Sequence, residues 1–260
     1  MRGLVISNQR GGVGKTTTAV NFAGYLVKEN RRVLLIDADS QGSVGTYFNL
    51  DPEKKLYNLI VNKEPLESCV AVVSEGLHVI CSDRDTHQAE AALLGQTARE
   101  MALKLLLKQA EGKYDYVIID VAPSITLLQT CAMMFAQNVL IPVDMDMLSL
   151  QGAQAAFETA NMLYEYYGTA IRVIGLLPTQ IDRRNKVTDV VSTALQVLSR
   201  KTGVPILPEI RTDQTVHKAA RLRQFLFDYD PASKAASDYV KAFEAITRIL
   251  EGANGQTQTA

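Results

Sequence analysis

The feature that most constrains the fold is a regular alternation of short apolar runs and helical stretches. Six runs rich in β-branched residues are typical of strands, at 3–8, 32–37, 77–81, 116–120, 138–143 and 171–178. Composition and spacing of apolar residues typical of helices are found at 15–29, 89–111, 126–136, 148–167, 184–202 and 231–251. Several runs are apolar on both faces, as buried parallel strands are. The pattern predicts an α/β fold: a doubly wound, mostly parallel sheet flanked by helices on both faces, with ligands beyond the carboxyl ends of the strands.

Composition and cysteine usage are typical of one globular domain. Of the 260 residues, 47% are hydrophobic and 21% are charged. We predict one domain over residues 1–252 and a polar, disordered tail over 253–260. No apolar run has the length of a membrane-spanning helix, and the chain enters a strand at once, so no signal peptide is expected. The three scattered cysteines are typical of small buried thiols, and we expect a cytoplasmic protein.

A glycine-rich turn joins the first strand to the first helix in "NQRGGVGKTTTAVNFA". It resembles the phosphate-binding pattern G-x-x-x-x-G-K-[ST], although Gln9 occupies the position of the first glycine. Glycines let successive backbone N–H groups face phosphate oxygens, and the following helix adds its positive end. Lys15 is expected to reach the β- and γ-phosphates, and Thr16 to hold Mg²⁺. A turn that only caps a helix is the alternative, but strand, glycines, Lys-Thr and helix in this order favour a phosphate site.

Carboxylates follow two of the predicted strands. "VLLIDADSQG" places Asp37 and Asp39 at one strand end, and "YVIIDVAPS" places Asp120 at another. Aspartates at strand ends often cap the following turn. Two such strand ends beside a phosphate loop favour a catalytic role, because phosphoryl transfer depends on the placement of the reacting groups and on charge neutralisation. Asp39 is our candidate for positioning the attacking water, and Asp120 for anchoring the magnesium-bound water.

With these motifs the chain resembles the ParA/MinD family of deviant Walker A P-loop ATPases, most closely the ParA type. "VLIPVDMDMLSLQG" and "FDYDPASKAASDY" extend the resemblance over nearly the whole chain. The resemblance implies an ATPase that uses ATP and Mg²⁺, with Thr16, Asp39 and Asp120 at the metal. It also implies Lys15, Asp39 and Arg10 as the catalytic residues. The implied nucleotide-binding residues are Gly11, Gly12, Val13, Gly14, Lys15, Thr16, Thr17, Pro208, Ile210 and Arg211, the last three at the adenine.

Arg10 is the main departure from this family. Family members carry a lysine there that reaches across a nucleotide-sandwich dimer to the phosphates of the other subunit. Arginine keeps the charge, but its guanidinium is longer, planar and forked. We expect bridging to persist, since guanidinium groups bind phosphate well, and hydrolysis to be more sensitive to the change. An ordinary surface arginine is the alternative. Ser40 and Ala122 stand where the family usually has proline.

Positive charge is concentrated in one segment of a chain whose formal net charge is -1. Between Arg172 and Arg223 there are ten Lys/Arg and four Asp/Glu residues. Such polarity favours binding of a polyanion on one face. We predict non-specific contacts with double-stranded DNA, weakening steeply with salt. The candidate phosphate contacts are Lys186, Arg200, Lys201, Arg211, Lys218, Arg221 and Arg223.

The family resemblance implies a cycle and its partners. An ATP-sandwich homodimer would bind nucleoid DNA, and a ParB-like or adaptor protein would stimulate hydrolysis, driving segregation or positioning of a cargo. The end of the chain, "GANGQTQTA", carries no bulky apolar side chain to insert, so membrane docking is not expected. Three alternatives remain open: an ATP-dependent switch with little hydrolysis, a MinD-like positioning protein, and a metabolic P-loop enzyme acting on a small molecule.

Overall fold

A mostly parallel, seven-stranded sheet forms the centre of the computed structural model, which describes residues 1–252 apart from the side chain of Lys186. The predicted tail, 253–260, lies outside the described residues. The strands are β1 (Arg2–Ile6), β2 (Val33–Ala38), β3 (Ala71–Ser74), β4 (Leu77–Ile80), β5 (Tyr116–Val121), β6 (Asn138–Asp144) and β7 (Arg172–Thr179). Their order is β3-β4-β2-β5-β1-β6-β7, and only the β3–β4 pair is antiparallel. The predicted doubly wound sheet is confirmed.

Helices cover both faces of the sheet. Within the described residues they are α1 (Lys15–Lys28), α2 (Ser43–Phe48), α3 (Leu56–Ile60), α4 (Thr86–Leu94), α5 (Ala102–Leu106), α6 (Leu127–Ala136), α7 (Met147–Tyr167), α8 (Lys186–Thr202), α9 (Gln214–Arg221), α10 (Leu226–Tyr229) and α11 (Lys234–Gly252). One apolar core joins α1 and α11 to the sheet, and separate cores form under α3–α6 and under α7–α8. None of these helices is long and apolar enough to cross a membrane.

Two sequence predictions of secondary structure are wrong. The continuous helix predicted over 89–111 is broken into α4, α5 and two 3-10 segments, Arg99–Met101 and Leu107–Ala110. Gly95 ends α4, and Ala98 adopts a left-handed backbone with φ of 54° that no α-helix accommodates. The sequence did not predict the antiparallel strand β3, because four residues that alternate between half-buried and exposed are too short a run to be distinctive.

The carboxyl ends of β1, β2 and β5 meet at one edge of the sheet. Asp37 pairs in register with Asp120, and Ile6 lies opposite Asp120 on the other side. Strands β2 and β5 are buried along their whole lengths, so these acidic ends are fixed by the core. The topology therefore brings together carboxylates that are far apart in sequence, beside the loop that follows β1.

Candidate functional site

The loop between β1 and α1 curls at the carboxyl edge of the sheet. Gly12 and Gly14 have φ values of 80° and 85°, in the left-handed region. A Cβ at Gly12 would meet nothing within 4 Å, so the requirement there is for backbone conformation and not for space. Gly14 is the N-cap residue of α1 and makes no side-chain cap bond. The first turn of α1 therefore presents its N–H groups to the loop, which suits an anion.

Lys15 projects into the curl of this loop. Its Nζ donates hydrogen bonds to the carbonyl oxygens of Asn8 at 3.1 Å and Arg10 at 3.0 Å. Burial lowers the pKa of Lys15, while the nearby carboxylates of Asp120 and Asp39 act in the opposite direction. A buried ammonium group that two carbonyl oxygens hold inside the loop is placed to bind phosphate oxygens.

Thr16 and Asp120 form the next contact. The Thr16 hydroxyl donates to Oδ2 of Asp120 at 2.6 Å, whereas Oδ1 of Asp120 is buried without a hydrogen-bond partner. Burial raises the pKa of Asp120 to about 7, against the effect of the Thr16 hydrogen bond and the Lys15 charge. A buried, unpartnered carboxylate oxygen is costly unless a cation or water satisfies it. The hydroxyl, this carboxylate and the neighbouring Asp39 fit a hard cation such as Mg²⁺.

No group of three His, Cys, Asp or Glu side chains within residues 1–252 forms a metal cage. Mg²⁺ keeps several waters and is usually held by one or two carboxylates together with substrate phosphates. The small donor set at Thr16, Asp39 and Asp120 agrees with that mode of binding.

The two acids after β2 have different environments. Asp37 is buried; Oδ1 accepts from the Asp39 N–H at 3.0 Å and Oδ2 from the Val44 N–H at 2.9 Å. Burial, and then the charge of Asp120, raise the pKa of Asp37 to about 8. Asp39 is only partly buried, accepts from the Gln41 N–H at 3.0 Å and borders the cleft above the loop. Asp37 thus shapes the turn, and Asp39 faces the space where a phosphate would lie.

Two adjoining clefts surround the loop. One of about 260 Å³ is lined by the glycines, Lys15, Thr16, Thr17, Asp39, Ser43 and Pro123. The other, about 90 Å³, shares Gly12, Gly14 and Thr17 and extends to Tyr239. Of the residues predicted at the adenine, Ile210 and Arg211 line this second cleft, whereas Pro208 is exposed and does not. Arg211 is held by Asp238 through two hydrogen bonds of 2.7 Å.

Arg10 lies at the rim of the site. Its Nε is 3.6 Å from Oδ2 of Asp146, and both side chains are partly exposed. Asp146 is also the N-cap of α7, since its Oδ1 accepts from the Ser149 N–H at 2.6 Å. Arg10 is not among the residues that line the phosphate cleft. The guanidinium is therefore paired with the start of α7 and does not line the phosphate cleft.

Sequence reasoning missed the residues that hold the loop from behind. The Asn8 amide donates to the carbonyls of Pro142 at 2.7 Å and Ser149 at 3.1 Å, and its Oδ1 accepts from the Arg10 N–H at 2.9 Å. Thr179 donates to the Val13 carbonyl at 3.0 Å, and Gln180 to the Gly12 carbonyl at 2.8 Å. Polar residues at the ends of β1 and β7 were the available signal, but their partners depend on the packing of distant strands.

Gly152 of α7 packs directly against Asn8. A Cβ there would overlap Oδ1 of Asn8 and lie 3.0 Å from the backbone nitrogen of Arg10. We expect Gly152→Ala to lower the free energy of unfolding by about 1–3 kcal/mol, as overpacking does, and to weaken nucleotide binding by shifting the loop. Thermal unfolding and ATP titration measure both effects. Gly95→Ala is the matched control, since nothing lies within 4 Å of a Cβ at that position. Equal unfolding temperatures and equal ATP affinities for the two variants would contradict the expected contact between Gly152 and the loop.

The fold separates the basic residues of the segment 172–223 from one another. Helix α8 begins beyond the carboxyl end of β7 and runs back along the sheet for about 25 Å. Arg200 and Lys201, in its last turn, therefore lie near the amino ends of the strands. Lys218, Arg221 and Arg223 lie on α9 and just after it, beside α2. Arg211 is bound to Asp238, and the side chain of Lys186 is outside the described part of the structure. The six predicted DNA contacts whose side chains are described therefore do not form one patch.

Comparison with known proteins extends the similarity well beyond the loop. A family model described as an AAA domain matches residues 1–173. The chain is 35% identical over 259 residues to the chromosome partitioning protein ParA of Caulobacter vibrioides, covering 95% of each protein. It is 30% identical over 242 residues to the sporulation initiation inhibitor protein Soj of Bacillus subtilis, covering 91% of this chain and 94% of that protein.

Solved structures give the same picture of the fold. A cobyrinic acid a,c-diamide synthase from Mycobacterium smegmatis, with bound ADP and magnesium, matches with a TM-score of 0.82 and 28% identity. The match covers 97% of this chain and 96% of that chain. The similarity therefore includes the sheet, both helical layers and the loop.

Proposed function

Because the chain belongs to the ParA/MinD family of P-loop ATPases, we propose that it is a ParA-type ATPase that dimerises on ATP–Mg²⁺, binds DNA non-specifically and releases it after hydrolysis. The observation that carries this proposal is the phosphate loop, in which buried Lys15 and the Thr16–Asp120 pair converge beneath an open cleft. Its biological work would be to segregate or position a plasmid, chromosome or protein cargo. The domain would span residues 1–252.

Each residue of the site has a distinct role in this proposal. The loop N–H groups and Lys15 hold the β- and γ-phosphates, and Thr16 and Asp120 orient the metal and its bound water. Mg²⁺, when bound, neutralises charge on the phosphate oxygens. Asp39 orients the attacking water, because it borders the cleft and its position is fixed by the turn that Asp37 holds. The main contribution of the protein to catalysis is to place the phosphates and the attacking water relative to each other.

An apolar surface supports the proposed homodimer. Five large side chains are exposed near the carboxyl edge of the sheet: Ile125, Met147, Leu148, Val187 and Val190. They lie in the loop before α6 and in the first turns of α7 and α8, around the loop that carries Arg10. Exposed apolar side chains grouped around a ligand site are typical of an interaction surface. A second copy would cover them, and Arg10 would leave Asp146 to reach the phosphates of that copy.

DNA binding is proposed for the exposed cations on and after α9. Lys218, Arg221 and Arg223 are exposed and form no ion pair with any other described residue. Arg200 and Lys201 would contact DNA only if the duplex reached the amino ends of the strands. The protein would then be cytoplasmic and associated with the nucleoid, without membrane docking, and a ParB-like or adaptor protein would accelerate hydrolysis.

DNA retention in three nucleotide conditions tests the proposed function. We expect retention on non-specific duplex DNA with ATP and Mg²⁺, weak retention with ADP, and weak retention without nucleotide. Raising salt from about 50 to about 200 mM should weaken retention steeply, because binding to phosphates releases counterions. Equal retention in all three conditions would remove the proposed switch. The oligomeric state, measured by light scattering in the same samples, should change with nucleotide.

Arg10 variants test the dimer. We expect Arg10→Ala to weaken the ATP-dependent dimer about tenfold, the loss of roughly one charge-assisted hydrogen bond, and Arg10→Lys to keep it. Sedimentation at several protein concentrations measures the dimer constant. Arg248→Ala, on the distant face of α11, is the control and should have no effect. An unchanged dimer constant for Arg10→Ala would mean that Arg10 is a surface residue.

The Arg10–Asp146 pair also favours a second candidate, an ATP-dependent switch with little hydrolysis. In that case Arg10 would bridge two copies without adopting the geometry that turnover requires. Single-turnover hydrolysis with and without a partner protein separates the two, because the ATPase should release phosphate at least in the presence of the partner. Phosphate release that requires a small acceptor molecule would instead favour a metabolic enzyme.

A further inference from the structure

A second, larger cleft lies behind the segment that follows Asp39. Its volume is about 610 Å³, and it is bounded by residues 40–42, the connection between α2 and α3, the loop between β4 and α4, and Arg223. A neighbouring cleft of about 480 Å³ shares Thr46 and Arg223 with it and continues along α9 to Arg221. Together they form an elongated, open channel that meets the cleft above the phosphate loop at Ser43, which lines both.

The charges of this channel are only partly compensated. Lys55 binds two carboxylates of the lining, Asp51 at 2.7 Å and Asp83 at 2.9 Å, so those three side chains form a closed group. Arg84 on the β4–α4 loop and Arg223 after α9 are exposed, and neither forms an ion pair within the described part of the chain. Arg221 lines the neighbouring cleft of the same channel. Three unpaired guanidinium groups therefore border the channel from two sides.

We propose that this channel receives the phosphate backbone of duplex DNA, with Arg84 as a contact in addition to Arg221 and Arg223. The inference rests on the proposed function. A guanidinium fork suits phosphate, and three guanidinium groups that border an open channel suit a ligand whose charges repeat. Duplex DNA supplies about one charge per 1.7 Å of helix axis. Because Lys55 is already paired with Asp51 and Asp83, the unpaired arginines are the cations that remain to make the contacts.

The same segment of chain borders both ligand sites. Asp39 lines the phosphate cleft, Ser40 and Thr46 line the channel, and Ser43 between them lines both. The Ser40 hydroxyl is 2.8 Å from Nε2 of His87 on α4, which ties this wall to the loop that carries Arg84. A shift of Asp39 towards a bound nucleotide moves the wall of the channel as well. The channel is thereby the place where nucleotide state alters DNA affinity.

Substitution of Arg84 tests the channel in the full chain. We expect Arg84→Gln to weaken ATP-dependent binding of a labelled non-specific duplex about three- to tenfold and to lower the salt slope of the binding constant by about one. Arg84→Lys should keep most of the slope. Affinity for ATP should stay within about twofold, since Arg84 is outside the phosphate cleft. Arg172→Gln is the matched control: it removes an exposed arginine from the amino end of β7 and should leave DNA binding unchanged.

The outcomes separate this inference from the proposed function. If the wild type shows no ATP-dependent DNA binding, both fail. If the wild type binds DNA but Arg84→Gln matches it in affinity and salt slope, only the channel is overturned. The channel is also overturned if Arg84→Gln keeps its DNA affinity but loses binding of a labelled polyglutamate peptide, since the occupant would then be an acidic protein segment. A reduced slope with Arg84→Gln and an unchanged slope with Arg172→Gln support it.

Discussion

Changing Lys15 to glutamine is expected to weaken ATP binding about 100-fold or more and to remove measurable hydrolysis. The ammonium group lies within the curl of the phosphate loop, where its hydrogen bonds to the Asn8 and Arg10 carbonyls hold it ready for phosphate oxygens. Hydrogen bonds to charged groups contribute about 1.5–3 kcal/mol each, and two such bonds to phosphate account for an effect of this size. Titration with a fluorescent ATP analogue measures the affinity.

The control for Lys15→Gln is Lys28→Gln at the other end of α1. Lys28 is exposed and pairs with Asp228, so its loss should leave ATP affinity unchanged. Thermal unfolding of both variants without nucleotide should stay close to wild type, because removing Lys15 also removes the cost of burying its charge. Near-normal ATP affinity in a folded Lys15→Gln protein would contradict the proposed phosphate site.

Changing Asp39 to asparagine is expected to lower the single-turnover rate of hydrolysis about 100-fold or more, with ATP affinity within about threefold of wild type. Asp39 faces the phosphate cleft from the turn after β2. Asp37 anchors that turn, and asparagine at position 39 keeps an Oδ1 that can accept from the Gln41 N–H, so the turn should be preserved. Misplacing an attacking group by a small distance can cost about 100-fold in rate. The ATP-bound dimer should then stay on DNA longer than the wild-type dimer does.

Asp228→Asn provides the comparison for Asp39→Asn. Asp228 is an exposed carboxylate of α10, and its neutralisation should affect neither hydrolysis nor DNA retention. Quenched-flow measurement of phosphate release, with ATP bound in advance, isolates the chemical step from binding. An unchanged rate for Asp39→Asn would assign the positioning of water to another residue.

The sequence predicted the sheet and the phosphate loop because both depend on local patterns. Strands apolar on both faces have few places to lie except inside a parallel sheet, and glycines before Lys15 are needed wherever the backbone turns with positive φ. The sequence was less informative over 89–111, where Ala98 adopts a left-handed conformation that its residue type does not indicate. Short edge strands such as β3 carry too few residues for their alternation to be distinctive.

The supports of the loop could not be predicted in the same way. Asn8 holds the loop through carbonyls of β6 and α7, and Gly152 is small because Asn8 lies against it. Each contact joins residues more than 130 positions apart, so their partners emerge only after the strands have been ordered. The ion pair between Arg10 and Asp146 is of the same kind.

By itself the sequence determined the type of fold, and it predicted the place of the phosphate loop and the acids beside it, since periodicity, glycine content and strand-end carboxylates are local properties. Only the tertiary structure decided that Asp37 caps a turn while Asp39 faces the cleft, and that Arg10 is paired with α7. It also decided that the basic residues of 172–223 are divided between the carboxyl and the amino ends of the strands. The physical reason is that burial, pairing of charges and the direction of a side chain depend on neighbours that only the folded chain brings together.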